Sequence, residues 1–470
     1  MSHDNLVRTY FATTLTSHYG FKVNQAKVEE LNNKLTEKIE ASLDILRSFD
    51  YDPIKLREKR PKKGELTITQ IFDKIMSDIE SQGFDLIKKY HKGRKKDVYS
   101  SRAEDLESVN HPFIKAFLSF NKDSKARETY VKHYRGKDRV HTSFDPCLAT
   151  GRTSSMRPNL QNLPRSGGIR EIFETDKDKK LVIMDYSSAE LFAGCQYALS
   201  HYGFSKMAEL LKNKVDVHKY ISSKFLGIPE DKITKEQRQY GKLVNFGRIG
   251  GSGAAVLQNK LLVDYGTELS IDEIKKLVNV WESEFPEFKE HFKESNNAHL
   301  KALGVSNEEA WQIKKASTGE YLPEKEEQEA WKHILRLKGE YPGKLKKFEF
   351  DIENKQPSKE LAFALESLRV TSISSGRIVA NRKYTEWCNH AIQASQADVT
   401  NYAWWLLHKA GLKVVNCIHD EFIVECEKHE AKEIYKKVEL ILKQASKEFY
   451  PDMWEHMGSE GAITNKWEKI

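Results

Sequence analysis

Between Val414 and Cys426 the chain reads VVNCIHDEFIVEC, where His419, Asp420 and Glu421 interrupt two apolar segments. Val414, Val415, Cys417 and Ile418 before the triplet, and Phe422, Ile423 and Val424 after it, have the β-branched and aromatic bias of strands. Joined through His419-Asp420, they predict a tight hairpin with carboxylates at its tip. On its own such a turn reads most simply as a solvated polar loop, so its meaning depends on the rest of the chain.

At 470 residues the chain exceeds the size at which one core usually stops growing, so two or three lobes are expected. Net charge is only +7, but basic residues cluster in KLREKRPKK (55–63), KKYHKGRKK (88–96) and the span 122–139. Such clusters suit a polyanion, whose counterions are released when its phosphates are neutralised, and equally suit a solvated lysine-rich surface. The five cysteines are scattered, with no CxxC and no zinc-type pairing with His, which fits an intracellular protein with reduced thiols. No apolar run approaches a membrane span, and the first residues lack a signal-peptide layout.

Residues 21–48 carry Val28, Leu31, Leu35, Ile39, Leu43 and Ile45 at helical spacing and predict a long, exposed amphipathic helix. Further helices are expected over about 69–90 and 103–135. The span 139–180 holds too much Ser, Pro, Gly and Asn for long elements. LVIM (181–184) reads as a buried strand followed by a helix over Ser187–Leu199, and 206–300 reads as mainly helical. The Glu- and Lys-rich span 300–366 reads as a helical insertion, after which strands and helices alternate.

Two further motifs bear on the hairpin. In LVIMDYSSAE (181–190) a buried strand delivers Asp185 where the chain turns into a helix, a place that also suits an ordinary helix-start acid. In TKEQRQYGKLVNFGRIGG (234–251), Thr234 and Gln237 form a capping box, and Arg238, Lys242, Asn245 and Phe246 share one broad helical face. Two cations followed by an amide and a ring suit a triphosphate with its sugar or base; a solvated basic helix is the plainer alternative. Two aspartates from neighbouring strands are suitable ligands for a pair of Mg²⁺ ions, which take hard oxygen ligands and substrate phosphates.

Together these pieces resemble the polymerase module of the family A DNA polymerases, the group of bacterial DNA polymerase I. DYSSAE is similar to that family's motif A, RQYGKLVNFGRIGG to motif B and CIHDEFIVE to motif C. RVHTSF (139–144), TGRTSSMRPNLQNLP (150–164), DVHKYIS (216–222) and NHAIQASQADV (389–399) agree in order. The resemblance implies an α+β right-hand polymerase fold with an antiparallel-sheet palm, helical fingers and a helical thumb. The implied divisions are a thumb over 1–138, palm over 139–205 and 367–470, and fingers over 206–299; the helical insertion read from composition over 300–366 has no counterpart in the resemblance. About 140 residues before the palm leave no room for an exonuclease domain, so proofreading is expected from a separate polypeptide.

The resemblance also assigns roles. Asp185 and Asp420 would hold two Mg²⁺ ions, for which Mn²⁺ is a substitute, with the backbone carbonyl of Tyr186 as an extra ligand and Glu421 in support. Lys242 and Arg238 would contact the incoming triphosphate, Lys242 as the acid for pyrophosphate, with His218 near the phosphates. Glu190 would be the steric gate against ribose, and Phe246, in place of Tyr, implies discrimination against chain terminators. Arg152, Asn159, Gln161, Asn162, Asn389, Gln393 and His419 match positions that touch primer-template DNA. Three departures stand out: Gly250 replaces a Tyr, Ser188-Ala189 replace Gln-Ile beside the gate, and Thr385 replaces a common Arg.

The expected activity is therefore DNA-templated DNA synthesis from dNTPs, without proofreading in this chain. Alternatives are a catalytically dead polymerase-like scaffold, a single-subunit RNA polymerase, and reverse transcription as a side activity. The compact Lys- and Asn-rich chain leans towards a phage source. Expected partners are primer-template DNA and dNTPs, with a separate exonuclease or processivity factor; the expected compartment is the cytoplasm of a bacterial or infected host cell.

Overall fold

The computed structural model describes residues 3–58, 61–62, 64–91, 96–148, 150–164, 167–293, 306–340, 345–366, 370–372, 378–380 and 384–468. Asp185 and the hairpin that carries Asp420 belong to one four-stranded antiparallel sheet. In chain order the elements used below are helix α1 (His3–Tyr19), α2 (Gln25–Arg47), α3 (Ile68–Ser81), hairpin strands β1 (Lys88–His91) and β2 (Lys96–Tyr99), and α4 (Pro112–Ala126). There follow β3 (Ser143–Asp145), β4 (Ser154–Met156), β5 (Lys179–Tyr186), α5 (Ala189–Tyr202), α6 (Val217–Leu226), α7 (Arg238–Ile249) and α8 (Ile271–Glu284). The last are α9 (Tyr384–Lys409), β6 (Lys413–Ile418), β7 (Glu421–Glu427), α10 (Ala431–Phe449) and β8 (Ser459–Thr464). The sheet order is β6-β7-β5-β8.

Side chains alternate across a strand, and here both faces are covered, which is why the strands read as continuous apolar runs. Val182 and Met184 join Phe422, Val424 and Trp404 in the core under α5, α9 and α10. Leu181 and Ile183 join Ile423, Val415, Phe21, Val28 and Trp467 in a second core on the opposite face. His419-Asp420 is the place where the paired run turns, with Ile418 opposite Glu421. The polar triplet thus marks the end of a doubly buried sheet.

Helix α2 bridges two cores. Its Val28, Leu31 and Leu35 face the sheet, whereas Ile39, Leu43 and Leu46 join Phe72, Phe113 and Phe117 in a separate helical core, so the helix is packed on two sides and Leu46, not the exposed Ile45, continues its apolar face. Asn24 starts it, accepting a hydrogen bond from the Lys27 amide at 3.2 Å.

Two expected helices are shorter than anticipated. The one near 69–90 stops at Ser81, beyond which Gly83 adopts φ +93° and Lys88–His91 pairs with Lys96–Tyr99. Lys88, Lys89 and Lys96 of the basic run therefore lie on paired strands, and residues 92–95 lie outside the described residues. The helix near 103–135 breaks because Pro112 has no amide proton and sits at a helix start; a five-residue π turn, Arg127–Val131, follows α4. The helix after β5 begins at Ala189 and runs to Tyr202, slightly later at both ends than expected. Within 306–366 the helices enclose their own core of Trp331, Ile334, Leu337, Phe348 and Leu361; residues 300–305 lie outside the described residues.

Ile183 is fully buried where the sheet meets the second core. Ile183→Ala is expected to cost about 2–5 kcal/mol of stability, through lost burial and the cavity left behind. Denaturant unfolding measures it, and a cost below about 1 kcal/mol would show that the sheet's second face tolerates collapse.

Candidate active site

Antiparallel pairing of β7 with β5 sets Glu421 opposite Asp185, so Asp420 lies one residue beyond that pair, at the hairpin tip. On the other side of β5, Glu460 of β8 faces Asp185. A non-glycine residue with a left-handed backbone lies within three positions of each catalytic candidate. His419, before Asp420, has φ +57°, and Ser188, after the Asp185 strand, has φ +54°. Such conformations cost about 1–3 kcal/mol each and persist where the surrounding structure enforces them.

A cavity of about 360 Å³ opens over these carboxylates. Asp185, Tyr186, Ser188, Ala189 and Glu190 line it from the β5–α5 turn, with His419 and Asp420 from the hairpin tip. Lys242 and Phe246, one turn apart on α7, line the facing wall. Arg152 enters from the loop between β3 and β4, and Gln396, Ala397 and Thr400 from α9.

Burial pushes the Asp420 carboxyl up to about 6, reinforced by the Glu190 charge and opposed by Arg152. A carboxylate so disfavoured is stabilised by a cation in the same cavity. Among the described residues no cluster of three or more His, Cys, Asp or Glu could hold a metal alone. The donors offered are two carboxylates, the Tyr186 carbonyl, and room for substrate oxygens. That set fits Mg²⁺, which retains water and phosphate ligands. Glu421 is in part committed elsewhere, since its carboxylate accepts from the Trp467 indole at 3.2 Å. Tyr186 is anchored by its phenol, which donates to the Leu442 carbonyl at 2.9 Å, and burial pushes that phenol's pKa up.

The facing wall is organised by hydrogen bonds behind it. Trp281 of α8 can only donate, and its indole reaches Asn245 Oδ1 at 2.8 Å. The Asn245 amide therefore donates, to the Val217 carbonyl at 3.1 Å and to His218 Nδ1 at 2.8 Å. Burial, together with the Arg238 charge, lowers the His218 pKa to about 4, so the ring is neutral near pH 7 with its proton on Nε2. The His218 and Phe246 ring centroids are 5.5 Å apart. Arg238 Nε donates to Asp216 at 2.7 Å, and Asp216 itself caps α6. Close approach of α6 and α7 needs Gly241, where an added Cβ would lie 2.0 Å from the His218 carbonyl oxygen.

A family model described as DNA polymerase family A matches residues 68–308, just over half of the chain. The chain belongs to DNA polymerase family A. The matched span carries Asp185, Glu190, Arg238, Lys242 and Phe246; the hairpin with Asp420 lies beyond it, and β-pairing joins the two. DNA polymerase I of Aquifex aeolicus is 28% identical over 365 residues, 76% of this chain and 51% of that protein. DNA polymerase I of Synechocystis sp. is 39% identical over 179 residues, 35% of this chain and 17% of that one. The chain thus spans about half of the first relative and less of the second. Among solved structures, the POL domain of Pol1 from M. smegmatis, in complex with DNA primer-template and dNTP, superposes with a TM-score of 0.64. The match has 20% sequence identity and covers 98% of this chain and 70% of that one. This likeness establishes the right-hand polymerase fold of the family A members.

The family's other candidate positions fall into distinct settings. Gln161 donates to the Cys417 carbonyl at 2.9 Å and to Thr153 Oγ1 at 2.8 Å, tying its loop to β6. Asn159 Oδ1 accepts from the amides of Gln161 and Asn162, so it shapes a turn while the Asn162 side chain is exposed. Asn389 and Gln393 are half-buried on α9, one turn apart. Asn245 departs from the helical-face expectation: it is fully buried behind the wall, away from the cavity. Gly250 has φ −82°, so its lack of a side chain matters for space beside Asn389, and it is Gly251 that adopts φ +75°. Sequence reasoning left Gln396, Ala397 and Thr400 unassigned; extending the helical period from Asn389 and Gln393 reaches all three.

Since the folded chain holds the Asp420 proton more tightly than the unfolded one, stability without divalent ions falls as pH rises through about 4–6. In EDTA, Asp420→Asn is expected to raise the melting temperature by about 1–4 °C at pH 8 and by less at pH 5. A lower melting temperature at pH 8 would refute this account of the site.

Proposed function

We propose that this chain is a DNA-templated DNA polymerase that extends a primer 3′ end with dNTPs, using two divalent ions, Mg²⁺ by preference. The observation that carries the reading is the meeting of Asp185 and Asp420 across β5 and β7, in one cavity with Lys242, Phe246 and Glu190. Family membership, and the primer-template and dNTP complex of the structural neighbour, support the same substrates.

Asp185, Asp420 and the Tyr186 carbonyl would hold the ions. When bound, they supply charge that activates a 3′-hydroxyl and stabilises a leaving pyrophosphate. The chain's own residues orient the reactants. Lys242 offers the triphosphate an ammonium that donates hydrogen bonds and is suited to protonate pyrophosphate. Neutral His218 offers an N–H, and Phe246 gives the sugar or base a flat apolar face. Glu190 crowds the ribose 2′ position. His419 and Arg152 lie at the hairpin side, where a primer terminus would meet Asp420. The basic hairpin β1–β2 and the thumb assignment of 1–138 suit duplex binding through phosphates.

The test is primer extension on primed DNA with Mg²⁺ and either dNTPs or rNTPs. Wild type is expected to extend with dNTPs, and Asp185→Ala and Asp420→Ala to lose about a hundred-fold or more in rate. Undiminished extension by either variant would remove the two-carboxylate mechanism.

A further inference from the structure

The ion pair across the cavity, between Arg152 and Glu190, has no place in the mechanism above. Arg152 Nη2 donates to Glu190 Oε1 at 2.8 Å, with both side chains 32% exposed. Glu190 is the second residue of α5, whose cap residue Ser188 makes no side-chain capping bond. A carboxylate in a first helical turn is ordinarily drawn to the free amides of its own helix. Here it reaches out to a cation on another element.

That cation is held on a braced loop. On one side of Arg152, the Gly151 carbonyl accepts from Asn401 of α9 at 3.0 Å. On the other, Thr153 Oγ1 accepts from Gln161, which also binds the Cys417 carbonyl of β6. Asn401 and Gln161 are both buried. The residues on either side of Arg152 are thus tied to the motif C strand and to α9.

We infer that Arg152 is a specificity-determining residue that sets discrimination between deoxyribose and ribose by holding the Glu190 carboxylate in place. The inference rests on the polymerase reading. A glutamate has three rotatable bonds, and an untethered carboxylate can swing aside to admit an extra hydroxyl. A carboxylate in a charge-assisted hydrogen bond to a guanidinium carried on a braced loop gives way only by breaking that bond. The selectivity of the gate therefore depends on its tether as well as on its bulk.

The experiment is a double-mutant cycle on the full chain. Single-nucleotide incorporation of a dNTP and of the matching rNTP is measured for wild type, Arg152→Gln, Arg152→Lys, Glu190→Ala and Glu190→Ala/Arg152→Gln, with melting temperatures recorded for each. Because Arg152 lies beside the primer side of the cavity, absolute rates drop for both nucleotides, and the readout is the ratio of their kcat/KM values. Arg152→Gln is expected to lower the dNTP/rNTP ratio by about ten-fold, the scale of one charge-assisted hydrogen bond, with Arg152→Lys in between. In the Glu190→Ala background the same substitution is expected to leave the ratio unchanged. An unchanged ratio in Arg152→Gln, or an equal fall in both backgrounds, would overturn the proposal while leaving the polymerase reading intact. Absence of extension by every protein, wild type included, would overturn both.

Discussion

Antiparallel pairing of β5 with β7 is the constraint on which the site depends. It aligns Asp185 with Glu421 and so brings the hairpin tip, with Asp420, to the end of a strand far earlier in the chain. A slip of one residue would turn Ile183 and Ile423 out of one core and Val182 and Val424 out of the other. Because both faces of the sheet are covered, packing fixes the register with the full weight of two cores. The positions of the carboxylates follow from hydrophobic burial far larger than any force they exert on one another.

That arrangement explains why unfavourable local features persist at the tip. Left-handed backbone at His419 and at Ser188 opposes the preferences of both residues, and the burial of Asp420 opposes its charge. Both costs are small beside the burial of the strands that impose them. The site is the part of the sheet where local preference loses to global packing, and charge is stored there as a result. A ligand that brings positive charge relieves that cost directly, so the same geometry that destabilises the chain favours cation and phosphate chemistry.

Much of this was legible in the sequence for a physical reason: covered strands are uniformly apolar, so a break in the pattern marks a turn. LVIMDY and VVNCIHDEFIVEC announced their strands, and α2 announced itself through its period. The hairpin at 88–99 was not legible, because Lys88, Lys89 and Lys96 give no alternation between apolar and polar faces. Asn245 was misjudged because a helical wheel shows which residues share a face but not which neighbour covers it. One turn of helix separates the exposed side of Lys242 from the contacts of Asn245 with Trp281 and His218. The Arg152–Glu190 pair was invisible, since it joins a loop to the first turn of α5 and their proximity is purely tertiary.

The wall opposite the carboxylates is built on a different principle. No sheet holds α7; the hydrogen bonds of Trp281, Asn245 and His218, and the close contact at Gly241, lock it to α6 and α8. Directional bonds specify orientation where apolar contacts specify only proximity. Keeping His218 neutral through burial spares the site a third cation beside Lys242 and Arg238, while retaining a donor. The two walls thus divide the work. A rigid sheet sets the spacing of the negative groups, and a hydrogen-bonded helix cluster presents Lys242 and Phe246 to the same cavity.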